Sequence, residues 1–419
     1  MFKTLINAWR VPELKQKLIY TFWMMAFIRL GTHIPAPGID PAQIANMMAV
    51  NSDNNLLGLM NVITGGAFTT MAIFAFGVGP YITSSIIIQL LTIAISKLEE
   101  ISKEGEDGKK RINKYTRYLT LCIATLQASA TTLMLYNVNI LVEQSWSVFL
   151  LTLLSFVAGS MLVMWIGEQI TVKGVGNGIS LIIFINIVAS LPQEILNLFS
   201  AGSAPIAIIV LLLLVVMVAF AVEMSLGERR VNVQYAKRMS GRKVYGGQSQ
   251  NIPIKVNLAG VLPVIFSMSL IQFPEILTNL FVKDPNEAWL NVIENLRWTT
   301  PIGAIIYIIL IFAFAFFYST IAFNPVDIAA NMKKSGGFIP GIRPGKPTSD
   351  YLSKIATHVT LLGAIFLAIL AMTPLLLQTI SGIPIAFAGT SLLIVVGVAL
   401  ETVKQLESQM LMRQYKGFL

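Results

Sequence analysis

Residues 204–224 read APIAIIVLLLLVVMVAFAVEM, and the fold turns on this stretch. Its one charged side chain, Glu223, stands next to the end of the run. Some 20 apolar residues in a helix, rising about 1.5 Å each, cross the roughly 30 Å hydrocarbon layer of a bilayer. A helix that is apolar on every side belongs in lipid or in the centre of a large core. Composition decides between the two. Of 419 residues, 55% are hydrophobic and 12% charged, and mean hydropathy is +0.71. Soluble domains carry about 25% charged residues. Lipid is therefore the solvent expected along the whole chain.

Apolar runs of comparable length recur on both sides of this one. Ten spans are expected near 18–35, 69–95, 115–136, 147–170, 178–196, 204–224, 256–281, 302–323, 355–377 and 385–402. The first run ends in Pro35-Ala36-Pro37-Gly38 rather than a small-residue cleavage site, so it is expected to stay. Of 30 Lys and Arg residues, 27 fall on alternate connections, and only Lys283 and Arg297 lie on the opposite ones. Arg29 sits inside the first span, and no further Lys or Arg follows until Lys97. The positive-inside rule places the basic connections and both termini in the cytoplasm. The net charge of +9 needs no nucleic acid to explain it. Topology and anionic membrane lipids account for the basic loops.

The fifth connection, around 190–203, is expected outside and divides the chain into halves, 1–196 and 197–419. Five spans in the first half make the second enter from the opposite side, the arrangement of an inverted repeat. Matched segments fall in counterpart spans. Gly77-Val78-Gly79-Pro80 in span two answers Gly260-Val261-Leu262-Pro263 in span seven. Ser180-Leu181-Ile182-Ile183 in span five answers Ser391-Leu392-Leu393-Ile394 in span ten. Glycine- and proline-interrupted spans at matching places mark a transport path.

Ionisable groups at the membrane midplane would signal an ion-coupled transporter. Glu168, Glu223, Asp327 and Glu401 instead fall at the cytoplasmic ends of their spans, and Arg29 lies toward the outer end of its own. An apolar constriction gates by excluding water and suits a passenger of variable chemistry. A secondary transporter of small solutes, also built on inverted repeats, is the alternative reading. Catalysis finds no footing. Cys122 stands alone, and His33 and His358 are far apart, so no metal-ligand spacing arises. Gly174-Val175-Gly176-Asn177-Gly178 follows no strand and is expected to be a tight turn. The segment 341–348, GIRPGKPT, misses the phosphate-loop spacing. No enzyme activity and no cofactor are expected.

Several segments resemble the SecY family of protein-conducting channels. They are Arg29-Leu30-Gly31 through 35–40 (PAPGID), 73–91 ending in SSIIIQLL, Gly167-Glu168-Gln169-Ile170 through 176–180, and Tyr235-Ala236-Lys237-Arg238. Phe323-Asn324-Pro325, Lys333-Lys334-Ser335-Gly336 and 340–345 (PGIRPG) complete the set. The resemblance implies an all-α polytopic membrane protein of ten helices, a clamshell of two inverted five-helix halves around an hourglass pore. It further implies a general protein translocase subunit, a passive conduit for unfolded secretory chains across the cytoplasmic membrane and for membrane segments sideways into it.

The resemblance also assigns residues. An apolar pore ring would comprise Val78, Ile82, Ile179, Ile183, Ile265 and Ile394, with Val78 where isoleucine is frequent in the family. An external plug, about 54–70, would include Leu56, Leu57, Gly58, Leu59, Met60, Gly65 and Gly66. A lateral gate between spans two and seven would include Thr83, Gln89, Pro263 and Phe273. Lys237, Arg242, Lys243 and Arg343, in the cytoplasmic loops 227–256 and 324–354, would meet the ribosome and the motor ATPase SecA. SecE and SecG are the implied small membrane subunits; signal sequences and nascent polypeptides are the implied passengers.

Overall fold

The computed structural model describes residues 6, 8–40, 44, 64–201, 204–235, 238–240, 243–245, 249–258, 260–281, 287–297, 300–381 and 390–416. In chain order the helices are α1 (Pro12–Gly31), α2 (Gly79–Ala94), α3 (Ser96–Lys103), α4 (Glu106–Asn137), α5 (Trp146–Lys173), α6 (Gly178–Ala201) and α7 (Ala204–Leu226). They continue with α8 (Leu262–Phe281), α9 (Glu287–Leu296), α10 (Pro301–Ala322), α11 (Pro325–Lys334), α12 (Lys346–Ser381) and α13 (Thr390–Lys416). Five short strands lie between, β1 (Glu228–Tyr235), β2 (Arg238–Ser240), β3 (Lys243–Tyr245), β4 (Ser249–Lys255) and β5 (Gly337–Phe338).

Among the described residues, six helices are long and apolar enough to cross a membrane: α4 to α7, α10 and α12. A seventh candidate is the pair α2 and α3, bent by 103° at their break. Helices also stand at the three remaining expected spans: α1, α8 and α13. Lys15, Lys17 and Arg29 dilute α1, and α13 turns polar from Glu401 onward.

Two expectations need correction. The span expected over 69–95 is helical only from Gly79. Residues 65–78 run as successive turns, with Met71 (φ 43) and Gly77 (φ 50) in the left-handed region that breaks a helix. Backbone pairing replaces the missing helical bonds: Ala36 N–H donates to Met71 O at 3.0 Å and Ile73 N–H to Ile34 O at 3.0 Å. Non-helical backbone survives at membrane depth only when protein covers it. Here Met71, Ala72, Phe74, Ala75, Phe76 and Val78 are all buried. Gly159 of α5 makes this possible, because a Cβ there would sit 2.0 Å from Ile73 O. The connection expected over 190–203 is helical as far as Ala201, with Pro192 inside α6. Proline is tolerated in membrane helices because neighbouring groups re-satisfy the freed carbonyl.

The loops add a third finding. The helical reading holds for the membrane part, yet the loop after α7 is folded. β1 pairs antiparallel with β4, from Glu228↔Lys255 to Gln234↔Ser249, and with β5 on its other edge. Val231 and Val233 alternate inward and join Ile254, Phe323, Met332, Ile339, Leu352 and Val359 in one apolar core.

Two compact units emerge. The first comprises Met1–Ile209, Phe273–Asn286 and Leu376–Leu419; the second comprises Val210–Gln272 and Glu287–Leu375. Within the first, α4 packs on α2 and α5, α5 on α6, and α1 and α13 close on α6. Small residues set these distances, as membrane helices require. A Cβ on Gly178 would lie 1.9 Å from Gly167 O, so α5 and α6 meet backbone to backbone. The glycine-rich segment 174–178 is indeed a turn. Asn177 Oδ1 accepts from the N–H groups of Ile179 and Ser180 at 3.1 and 3.4 Å, and Gly176 takes φ +81. Thr21 of α1 ties in here, accepting from Val175 N–H at 3.1 Å. In the second unit, buried Ser319 of α10 and Thr360 of α12 share a hydrogen bond of 2.5 Å.

Candidate functional site

The two Gly-Val-x-Pro segments fold alike. Gly77 (φ +50) and Gly260 (φ +64) each take the left-handed conformation, and a helix begins two residues later with proline in its second place. Proline suits that position because the missing N–H is unpaired there in any case. Four residues past each proline stands a fully buried serine. Ser84 Oγ donates to Pro80 O at 2.7 Å, and Ser267 Oγ donates to Pro263 O at 2.7 Å. The shared motif is thus longer than four residues: Gly-Val-x-Pro-x-Ile-x-Ser, with Ile82 and Ile265 two places after the prolines.

Five of the six proposed ring positions belong to the first unit. Val78 caps α2, is 2% exposed, and its carbonyl accepts from Ile82 N–H at 3.0 Å. Ile183 and Ile394 are buried on the packed pair α6 and α13. Thr402 of α13 lies beside Gly176, its Oγ1 being 3.2 Å from where a Cβ would stand. Ile179, one turn before Ile183, rests its Cδ1 on Gly167 of α5, 2.5 Å from a notional Cβ there. Part of its surface is therefore used in holding α5 to α6. Ile265 belongs to the second unit, where it is half-buried and its carbonyl accepts from Ser269 Oγ at 2.9 Å.

Of the expected plug residues, Leu56, Leu57, Gly58, Leu59 and Met60 lie outside the described residues. Gly65 and Gly66 are described, with φ +67 and +91. Arg29 Nη1 of α1 donates to Gly65 O at 2.7 Å, and a Cβ at Gly65 would fall 2.4 Å from that nitrogen and 3.0 Å from Asn186 Cα of α6. Sequence reading located Arg29 and Gly65 separately and missed that they meet. The available signal was an arginine inside an apolar run, a position that calls for a partner.

Among the expected gate positions, Thr83 Oγ1 donates to Gly79 O at 3.2 Å and Gln89 Nε2 to Ser85 Oγ at 3.2 Å, both within α2. Pro263 is buried at the head of α8, and Phe273 lies in the same helix with its side chain outside the described atoms.

Of the expected partner contacts, Lys237 and Arg242 lie outside the described residues, and only the backbone of Lys243, in β3, is described. Arg343 is exposed on a stiff loop. Gly341 and Gly345 take φ +83 and +106, Thr348 Oγ1 donates to Arg343 O at 2.9 Å, and buried Ile339 anchors the loop beneath. A second basic patch lies at the head of α4. Lys110, Asn113, Lys114, Arg117 and Tyr118 line a shallow pocket there, and Arg117 is tied to Glu168 of α5 at 2.8 Å.

The SecY family model matches residues 72–403. The chain is 42% identical to the protein translocase subunit SecY of Streptomyces scabiei, 42% to that of Halalkalibacterium halodurans and 39% to that of Mycobacterium bovis, each over 100% of both chains. A solved protein-conducting channel superposes with a TM-score of 0.65 at 17% identity, over 94% of this chain and 92% of that one. Sec61 of the canine ribosome–channel complex superposes at 0.63 and 16%, with the same coverage.

Proposed function

The chain belongs to the SecY family, and from that premise we propose that it is the pore subunit of a general protein translocase. It passes unfolded secretory polypeptides across the cytoplasmic membrane and releases membrane segments sideways into lipid. Both termini lie in the cytoplasm, on the side of the basic loops. Ten spans form two inverted halves, 1–196 and 197–419. It is a conduit and not an enzyme: a motor ATPase or the ribosome supplies the drive.

The observation that carries this reading is the pair of turns at Gly77–Ser84 and Gly260–Ser267, alike in backbone, helix start and serine bond. Two such breaks in counterpart spans support a path between halves, with the gate at Thr83, Gln89, Pro263 and Phe273. The ring is Val78, Ile82, Ile179, Ile183, Ile265 and Ile394; the burial of Ile183 and Ile394 on the packed pair α6 and α13 supports it. Arg343, on its braced loop, meets the motor or the ribosome together with Lys237, Arg242 and Lys243. The pocket at Lys110, Lys114 and Arg117 takes an anionic lipid headgroup. SecE and SecG complete the channel.

Reconstitution tests the proposal. Vesicles holding the chain with its small subunits are expected to protect a secretory precursor from protease only when motor and ATP are present. Gradient-driven uptake of a small solute by the chain alone, without precursor protection, would overturn it.

A further inference from the structure

Helix α9 carries apolar residues that stay about half exposed. Its side chains sort by face. Trp289, Val292 and Leu296, spaced three and four apart, share one stripe. Trp289 and Val292 are 48% and 49% exposed, whereas Ile293, on the flank of the stripe, is buried. Asn291 and Glu294 occupy the opposite face and are exposed, and exposed Asn295 lies on the flank next to Val292.

The helix is fixed to its successor. Thr300 Oγ1 donates to Asn295 O at 2.7 Å and to Arg297 O at 2.8 Å, and it accepts from Gly303 N–H at 3.2 Å. Gly303 admits the end of α9 because a Cβ there would lie 2.0 Å from Arg297 O. This corner leads straight into α10, one of the six helices suited to crossing a bilayer. The exposed stripe of α10, Ile302, Ile305 and Ile309, begins two residues past Thr300 and faces the acyl chains if α10 spans. An apolar stripe held rigidly at the mouth of a span meets the headgroup layer, where tryptophan is favoured.

We propose that α9 is an interfacial anchor, its Trp289–Val292–Leu296 stripe seated in the leaflet on the side of the membrane opposite α11 and its basic loop. The occupant is the lipid surface. The anchor carries Glu287, Glu294 and Arg297 as its charges, so it relies on apolar burial and not on attraction to anionic lipid. The inference rests on α10 crossing the membrane and is independent of what the channel carries.

Spin labels on Val292→Cys and Asn291→Cys, each in a Cys122→Ser background of the complete channel in phosphatidylcholine vesicles, provide the test. Collision with lipid-soluble oxygen should exceed collision with a water-soluble nickel chelate several-fold at position 292, and the ratio should invert at position 291. Equal water accessibility at both positions would overturn the proposal. A label at 292 shielded from both reagents would also overturn it, by showing a protein partner on the stripe.

Discussion

Replacing Gly65 with alanine tests the junction of α1, α6 and the plug segment at one atom. In the described structure Gly65 takes φ +67, its carbonyl accepts from Arg29 Nη1 at 2.7 Å, and a Cβ would lie 2.4 Å from that nitrogen. Left-handed backbone costs an L-residue about 1–2 kcal/mol. Expelling the guanidinium forfeits a charge-assisted hydrogen bond worth about 1.5–3 kcal/mol. The seat at Gly65 is then weakened by about 2.5–5 kcal/mol, and at about 1.4 kcal/mol per tenfold the closed-to-open ratio falls by roughly two to three and a half orders of magnitude if the segment leaves this seat on opening. Gly66→Ala is the matched control. Gly66 has φ +91 and no heavy atom within 4 Å of its notional Cβ, so it bears the backbone cost alone. Resting ion conductance of the purified channel in planar bilayers reads the difference. Gly65→Ala should leak well beyond Gly66→Ala, and Arg29→Gln should leak by itself. In the double variant Gly65→Ala/Arg29→Gln the two effects should fall short of additive, since both break one bond. Equal leaks at 65 and 66, or full additivity with Arg29→Gln, would refute the reasoning.

Three further outcomes follow from the proposed site. Ile82→Asn and Ile265→Asn should each raise resting conductance by wetting the ring, whereas Ile87→Asn, five residues on along α2, should not; equal leaks would dismiss the ring assignment. Cysteines at Thr83 and Phe273, in a Cys122→Ser background, should block precursor transport when bridged and restore it on reduction; full transport through a verified bridge would count against sideways opening. Arg343→Glu should abolish motor-driven export while the protein still inserts, and Thr348→Ala, which frees the Arg343 carbonyl, should weaken it; Lys333→Glu and Lys334→Glu should cost far less. Equal, mild effects at all four positions would leave Arg343 with no special role.

What the sequence determined by itself is a matter of solvent and spacing. Unbroken apolar length reveals a membrane helix because lipid offers its backbone no partner, and so α4, α5, α6, α7, α10 and α12 stand where hydropathy places them. The turn at Asn177 and the paired Gly-Val-x-Pro breaks were equally legible, since glycine and proline act through their own backbone. Only the tertiary structure decided the rest. Residues 65–78 are as apolar as a span, yet Gly159 gives their backbone room to lie against α5, and pairing with 34–36 replaces the helix. The strands after α7 were hidden because Val231 and Val233 gain their meaning from Ile254 and Phe323, which come later in the chain. Arg29 shows the same division: its place in an apolar run announces that it needs a partner, but Gly65, 36 residues away, becomes that partner only when α1 and α6 pack around it. Periodicity is a local property, whereas the identity of a contact depends on residues that folding brings together.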